Sequence, residues 1–193
     1  MNFLLNKIQK EYAFSDFQMK LIRYAVSVIF YDFSKLLCFA IYFHFTGKTI
    51  HFLFAAIPLF LLRTRNGGIH FRNYWQCFVF SFIYLFSAIN LFPCLFPMPV
   101  LAATLVLILC ALSNYLIGPN VSTQKRKTNL TFIRKAKWET FFLILAVAVL
   151  FFFFPQNEYL AVSLWTIILH TLQLVFVWIQ NNQNHNLKGG EHI

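Results

Sequence analysis

The amino-acid sequence predicts an all-α integral membrane protein with about six hydrophobic helical segments and a short amphipathic N-terminal helix. Of its 193 residues, 59% are hydrophobic and only 11% are charged, whereas soluble domains carry about 25% charged residues. The mean hydropathy is +0.63, and the 26 Phe residues are more than a soluble core of this size can bury. Lipid is the solvent that suits such a surface.

The formal net charge is +10, and its distribution indicates membrane topology. The Lys and Arg residues flank the apolar runs instead of forming one patch interleaved with aromatic residues, so we expect no nucleic-acid partner. The four Cys residues lie in or beside apolar runs without close pairing, which favours free thiols over a disulfide framework. The first residues carry charges and lack the apolar stretch of a signal peptide.

The N-terminal part of the chain predicts two helices. Residues 3–13 have an apolar and a charged face, which suits either the membrane interface or packing against the protein itself. A capping-box pattern then starts a second helix near Asp16, which runs to about Phe45. Asp32 and Lys35 lie one turn apart in this helix and can pair.

Five more apolar segments follow, at residues 50–62, 77–96, 100–117, 138–154 and 159–179. The first is short, because 13 helical residues cover about 20 Å of a hydrocarbon core of about 30 Å. It is therefore predicted to be tilted or re-entrant. The others are predicted spans, separated by turns and by a polar loop over residues 120–137. We expect one membrane-embedded domain at 1–180 and a polar C-terminal tail at 181–193.

The Lys and Arg counts orient the spans. Basic residues cluster in the loop 120–137 and in the stretch 63–72, whereas the turns at 97–99 and 155–158 contain none. Cytoplasmic loops carry the excess of Lys and Arg. We therefore expect a multi-pass protein of the cell membrane with both termini in the cytoplasm and the stretch 63–77 near the cytoplasmic face.

The stretch 63–77 contains the candidate catalytic pair, His70 and Cys77. A thiol beside an imidazole is the minimum equipment for nucleophilic catalysis. On one unbroken helix the two Cα atoms would lie about 10.5 Å apart, too far for the side chains to meet easily. Gly67 and Gly68 permit a chain reversal, so we expect His70 in a loop or a first helical turn, folded over the start of the helix that carries Cys77.

Other groups of the site stay open at this stage. A third group that orients the imidazole has four candidates, unless the pair acts alone: Asn66, Asn73, Gln76 and Asp32. Arg63 and Arg65 suit a substrate carboxylate or a developing oxyanion, or alternatively lipid phosphates that fix the topology.

The sequence gives weaker support for a metal site, and for a catalytic role of the other His and Cys residues. One His and one Cys are too few ligands for zinc, and no His-Glu-x-x-His motif is present, so we expect no metal and no cofactor. His170 lies in the last predicted span and is interpreted as a packing residue. The other three thiols sit in apolar runs and are interpreted as structural: Cys38, Cys94 and Cys110.

The pattern Arg63-x3-Gly67-Gly68-x-His70-x6-Cys77, placed between an apolar segment and a span, resembles the accessory gene regulator protein B (AgrB) family of Gram-positive bacteria. The layout also agrees over nearly the whole chain, although the motif itself covers about fifteen residues. In one respect this chain departs from the family pattern, because the residue after Pro119 is Asn120 and not an acidic residue.

The resemblance implies a membrane cysteine endopeptidase that removes the acidic C-terminal part of a short quorum-sensing pheromone precursor. It implies that Cys77 is the nucleophile, that His70 activates it, and that Arg63 and Gly68 are required. The resulting thioester would be resolved by a Cys or Ser of the precursor, giving a thiolactone or lactone ring. The resemblance also suggests a homodimer.

The expected partners are the amphipathic precursor peptide and membrane lipids. The acidic tail of the precursor would meet the arginines or the basic loop with Lys125, Arg126 and Lys127. Two alternative functions are also compatible with the sequence. One is a non-catalytic small transporter or peptide exporter subunit, and the other is a lipid-modifying enzyme whose arginines bind a head-group phosphate.

Overall fold

The computed structural model describes residues 16–67, 73–119 and 130–189. Within these ranges all regular structure is helical, which confirms the predicted all-α class. The helices are α1 (Asp16–Phe45), α2 (Thr49–Asn66), α3 (Tyr74–Phe86), α4 (Phe92–Leu95), α5 (Val100–Ile117), α6 (Leu130–Phe153) and α7 (Glu158–Gly189), and a π-helical stretch, Ser87–Leu91, joins α3 to α4. The amphipathic helix predicted for residues 3–13 lies outside the described residues.

Four helical segments of the described chain are long and apolar enough to cross a membrane: Tyr74–Leu95, Val100–Ile117, Leu130–Phe153 and Glu158–Gln183. They have between 18 and 26 residues, which at about 1.5 Å per residue matches a hydrocarbon core of about 30 Å. The chain is therefore an all-α membrane protein. The predicted count of about six is not confirmed, because α1 and α2 form at the expected places but are not among these four.

The chain divides into two compact units, Met1–Gly47 and Lys48–Ile193. The first unit contains α1, which ends at Phe45, as the sequence predicts. Within α1 the Lys35 Nζ atom lies 2.9 Å from the Asp32 Oδ1 atom. This contact confirms the predicted pairing one turn apart.

The second unit is built around an apolar core shared by α2, α5, α6 and α7. Its buried members are Leu62, Ala103, Leu107, Cys110, Ala111, Ile144, Ala148, Phe151, Leu160, Leu164 and Ile167. Three of them are alanines, and small side chains let membrane helices approach closely. Most large apolar side chains elsewhere on these helices are exposed, as expected for surfaces that face lipid.

The segment Tyr74–Leu95 is continuous but irregular near its end. Pro93 has no backbone N–H and cannot extend an α-helical ladder, and the π-helical stretch lies directly before it. Asn90 in this stretch accepts a hydrogen bond from the Lys48 Nζ atom at 2.6 Å, which ties the start of α2 to the end of the segment. The π-helical stretch before Pro93 is thus a local widening of the helix.

Three predicted boundaries were wrong. The segment expected at 50–62 is longer, because α2 continues to Asn66. Residues 130–137 of the predicted loop belong to α6, where Lys137 donates a hydrogen bond to the Leu116 carbonyl at 3.2 Å. The last span, predicted to end at 179, continues as a helix to Gly189, into the polar tail expected at 181–193. In each case polar residues extend a helix beyond its apolar part, and hydropathy alone cannot detect such extensions.

Candidate functional site

The two helices on either side of His70 are separate, as the sequence predicts. Helix α2 ends at Asn66, and Gly67 follows with a φ of +80°, a left-handed conformation that glycine adopts at low cost. Helix α3 begins at Tyr74 after Asn73, which is extended with φ −99° and ψ 134°. His70 and Cys77 therefore do not share one helix. His70 itself lies outside the described residues, and so does Gly68.

Cys77 lies in the first turn of α3. Its N–H donates to the Asn73 carbonyl at 3.2 Å, the first hydrogen bond of that helix. The side chain is 8% exposed and shares a buried face of α3 with Ser81 and Tyr84, which follow at i+4 and i+7. At this position the positive end of the helix dipole favours a negative charge.

A small cleft lies along the same face of α3, one turn beyond Cys77. Its volume is about 10 Å³, roughly the space of one water molecule. It is lined by Leu59, Arg63, Phe80, Ser81, Tyr84 and Gln173. The structure thus brings Arg63, from the last turn of α2, to the face of α3 that carries Cys77.

Arg65, unlike Arg63, does not line this cleft and instead forms an ion pair with α6. Its Nε atom lies 2.7 Å from the Glu139 Oε2 atom of α6, and the Lys135 Nζ atom lies 3.8 Å from the other oxygen of this carboxylate. The Arg65 and Glu139 side chains are 40% and 33% exposed. Arg65 therefore has an intramolecular carboxylate partner, which the sequence alone did not predict.

The ion pair between Arg65 and Glu139 should contribute little to stability. Because both side chains are partly exposed, we expect Glu139→Gln to lower the free energy of unfolding by only about 0.5–1 kcal/mol. A double-mutant cycle with Arg65→Gln in detergent measures the coupling. A coupling well above about 1 kcal/mol would contradict this account and would indicate a pair shielded from solvent.

Behind Arg65, a fully buried polar cluster fixes the end of α2. The Asn66 Nδ2 atom donates to the Asn114 Oδ1 atom of α5 at 2.7 Å, and Thr140 of α6 donates to the Asn66 Oδ1 atom at 3.2 Å. Asn114 in turn donates to the Cys110 carbonyl and to the Thr171 hydroxyl of α7, each at 2.8 Å. The cluster thus links four helices, and the Asn66 side chain is hydrogen-bonded within it instead of being available to orient an imidazole.

His170 lies beside this cluster. Its Nε2 atom is 3.3 Å from the Gly67 carbonyl oxygen, and the side chain is 1% exposed. The sequence alone predicts a packing role for His170 and does not predict this polar contact. An ionisable residue inside a predicted span is itself a signal of a functional role, and that signal was available in the sequence.

Several predicted site residues lie outside the described chain. They are Gly68, His70, Lys125, Arg126 and Lys127, so their roles stay predictions. Asp32 belongs to the first unit and pairs with Lys35. Among residues 16–67, 73–119 and 130–189, no group of three or more His, Cys, Asp or Glu side chains could hold a metal ion.

The model of a family described as Accessory gene regulator B matches residues 1–174 of this chain. Neither the curated proteins nor the solved structures contain a match.

Proposed function

Since this chain belongs to the accessory gene regulator B family, we propose that it is a membrane cysteine endopeptidase that cleaves the C-terminal part from a short quorum-sensing pheromone precursor and assists (thio)lactone ring formation. Membership of the family supports the coarser role, processing of a quorum-sensing peptide at the membrane. The nucleophile, its activating base and the chemistry of the intermediate are our proposal.

The position of Cys77 carries the proposal. This thiol lies in the first turn of a helix long enough to span a membrane, on its buried face, and directly after the segment that contains His70. A helix N-terminus stabilises a thiolate and a developing oxyanion. A thiol that only packs in the protein interior is not stabilised by a helix N-terminus, whereas a nucleophilic thiolate is.

The proposed reaction has two steps. In the first, His70 accepts the Cys77 proton and the thiolate attacks the scissile carbonyl carbon; the C–N bond then breaks, and His70 protonates the leaving amine of the C-terminal fragment. This leaves the remaining precursor as a thioester on Cys77. In the second step a Cys or Ser side chain of the precursor attacks the thioester, which closes the ring and returns the Cys77 thiol.

Arg63 is the better of the two arginines for a role beside the reacting atoms. It lines the cleft on the Cys77 face of α3, where a guanidinium can bind a carboxylate or an oxyanion. Arg65 already has the Glu139 carboxylate as its partner, so we assign it to holding α2 against α6. Lys125, Arg126 and Lys127 are proposed to bind the acidic tail of the precursor by charge complementarity.

We also propose where the site lies in the membrane and how the protein assembles. We propose that the site lies near the cytoplasmic face of the cell membrane, which the distribution of Lys and Arg along the sequence supports, and that the amphipathic precursor lies there on the lipid surface. We propose a homodimer as the working form. Ring closure needs water kept away from the thioester, and a site at the bilayer boundary provides this.

Co-expression of this chain with the short amphipathic precursor peptide that we expect to be encoded beside its gene tests the proposal. Mass spectrometry is expected to find a C-terminally truncated peptide that is absent when the precursor is expressed alone. Intact precursor in the presence of well-folded protein would contradict the peptidase and favour the transporter reading. Cys94→Ala, which changes an exposed thiol, serves as the control and should leave processing unchanged.

A further inference from the structure

The cleft on the Cys77 face of α3 is a place where three helices meet. Its lining residues come from α2, α3 and α7. Leu59 and Arg63 lie one turn apart in α2, and Ser81 and Tyr84 lie one turn apart in α3, so each pair shares one face of its helix. The volume of about 10 Å³ has room for one oxygen atom, as in a single water molecule.

The Tyr84 hydroxyl ties α3 to α7 beside this cleft. It donates to the Thr166 carbonyl oxygen at 2.6 Å, and the Tyr84 side chain is 7% exposed. Thr166 and Gln173 are seven residues apart, which is two turns along one face of α7, so this contact also brings Gln173 to the cleft. Because the phenolic proton is used by Thr166, Tyr84 forms a wall of the cleft and does not offer it a donor.

Two polar groups of the cleft are unused within the protein. Neither the Ser81 hydroxyl nor the Gln173 amide takes part in a hydrogen bond in the part of the chain that the structure describes. Ser81 is only 8% exposed and Gln173 is half-buried. Asn114, a buried amide of another span, makes three hydrogen bonds, as buried polar groups normally do. A ligand that accepts from Ser81 and Gln173 would supply the missing partner.

The chemistry of the lining favours an anionic oxygen. Of the six described residues that line the cleft, Arg63 alone is charged, and its charge is positive. The guanidinium, the Ser81 hydroxyl and the Gln173 amide nitrogen are hydrogen-bond donors. Donors from three helices around the space of one oxygen atom match an oxygen of a carboxylate.

The distance from Cys77 indicates which carboxylate would fit. Ser81 follows Cys77 by four residues on the same face of α3, which is about 6 Å along the helix axis. An extended peptide advances about 3.3–3.6 Å per residue. A carboxylate in the cleft would therefore be carried within about two residues of the carbonyl group that Cys77 attacks.

We propose that Ser81 and Gln173, together with Arg63, form a subsite that binds a carboxylate of the precursor close to the scissile bond. The carboxylate would belong to the acidic part that is removed, and its binding would select the cleavage position. This inference rests on the proposed function. Ser81 and Gln173 determine specificity in this arrangement, so their loss should weaken the use of substrate and leave the rate at saturation unchanged.

Steady-state cleavage of two synthetic precursors by the full-length protein in detergent tests the inference. One precursor has its natural sequence, and in the other Asn and Gln replace the Asp and Glu residues on the removed side of the cleavage site. The variants are Gln173→Leu, which removes the amide at similar size, and Ser81→Ala. Gln180→Leu, at an exposed position two turns further along α7, is the matched control.

Gln173→Leu is expected to raise KM for the natural precursor about tenfold, and Ser81→Ala about fivefold, with kcat within about twofold of the wild type. With the amide precursor the wild-type protein should itself have a raised KM. Gln173→Leu should then add less than about twofold, because no carboxylate contact is left to lose. Gln180→Leu should match the wild type with both precursors.

The results that would overturn the inference separate it from the proposed function. If Gln173→Leu and Ser81→Ala raise KM equally for both precursors, lower kcat alone, or match the wild type, the subsite is wrong and the peptidase stands. A cleft that holds only water or a lipid phosphate oxygen gives the last of these results. If folded wild-type protein cleaves neither precursor, the proposed function fails together with the inference. Should Gln173→Leu not fold, Ser81→Ala decides alone, since it removes a single oxygen atom.

Discussion

Replacing Cys77 by alanine is expected to reduce precursor cleavage by more than about a thousandfold, because the reaction then has no nucleophile and no covalent intermediate. His70→Ala should have an effect of similar size, since residues that act as one unit lose their function together. The measurement is the ratio of truncated to intact precursor by mass spectrometry, at equal amounts of folded enzyme.

The matched control changes a different thiol in the same span. Cys94 lies in α4, near the far end of the segment that begins at Tyr74, and is exposed, whereas Cys77 is buried in the first turn. Cys94→Ala should keep the full cleavage rate. Equal loss in both variants would indicate a general effect of thiol removal on the protein and would contradict the assignment of Cys77.

Asn114→Ala is expected to give the largest loss of stability. It removes three buried hydrogen bonds, to Asn66, to the Cys110 carbonyl and to Thr171, and it leaves the Asn66 amide without this acceptor. Hydrogen bonds between membrane helices contribute about 0.6 kcal/mol on average and about 1.7 kcal/mol at most, and a cavity adds to the loss. We expect the free energy of unfolding to fall by about 2–4 kcal/mol.

Reversible unfolding in detergent measures this change. Asn182→Ala, at an exposed position of α7, makes the same chemical substitution outside the cluster and should change the free energy of unfolding by less than about 0.5 kcal/mol. If both variants unfold alike, the cluster does not hold the four helices together, and the anchoring of α2 would need another explanation.

Hydropathy and local sequence patterns were sufficient to predict most of the helices. The charge-free run Val100–Ile117 became α5 with the predicted ends, because Pro99 precedes it and Gly118 follows it. Helix α1 ends at the predicted residue, Phe45. The start of α6 was missed, because Lys and Arg residues in its first turns resemble a loop when composition alone is considered.

The candidate site was predictable only in part. The separation of α2 from α3 followed from Gly67, and the place of Cys77 near a helix N-terminus followed from that separation. The cluster around Asn66 could not be predicted, because its partners Asn114 and Thr140 lie 48 and 74 residues away. Contacts at such separations depend on how helices pack, which a local pattern does not encode.

The measurement that tests the central claim most directly is a search for the acyl-enzyme on Cys77. Enzyme and precursor are mixed, quenched in acid and digested, and the peptide that contains Cys77 is weighed. The account predicts a mass increment on Cys77 equal to the precursor without its C-terminal part, removable by hydroxylamine and absent in His70→Ala. Precursor truncation that proceeds with no increment on Cys77, or that persists in Cys77→Ala, would contradict it.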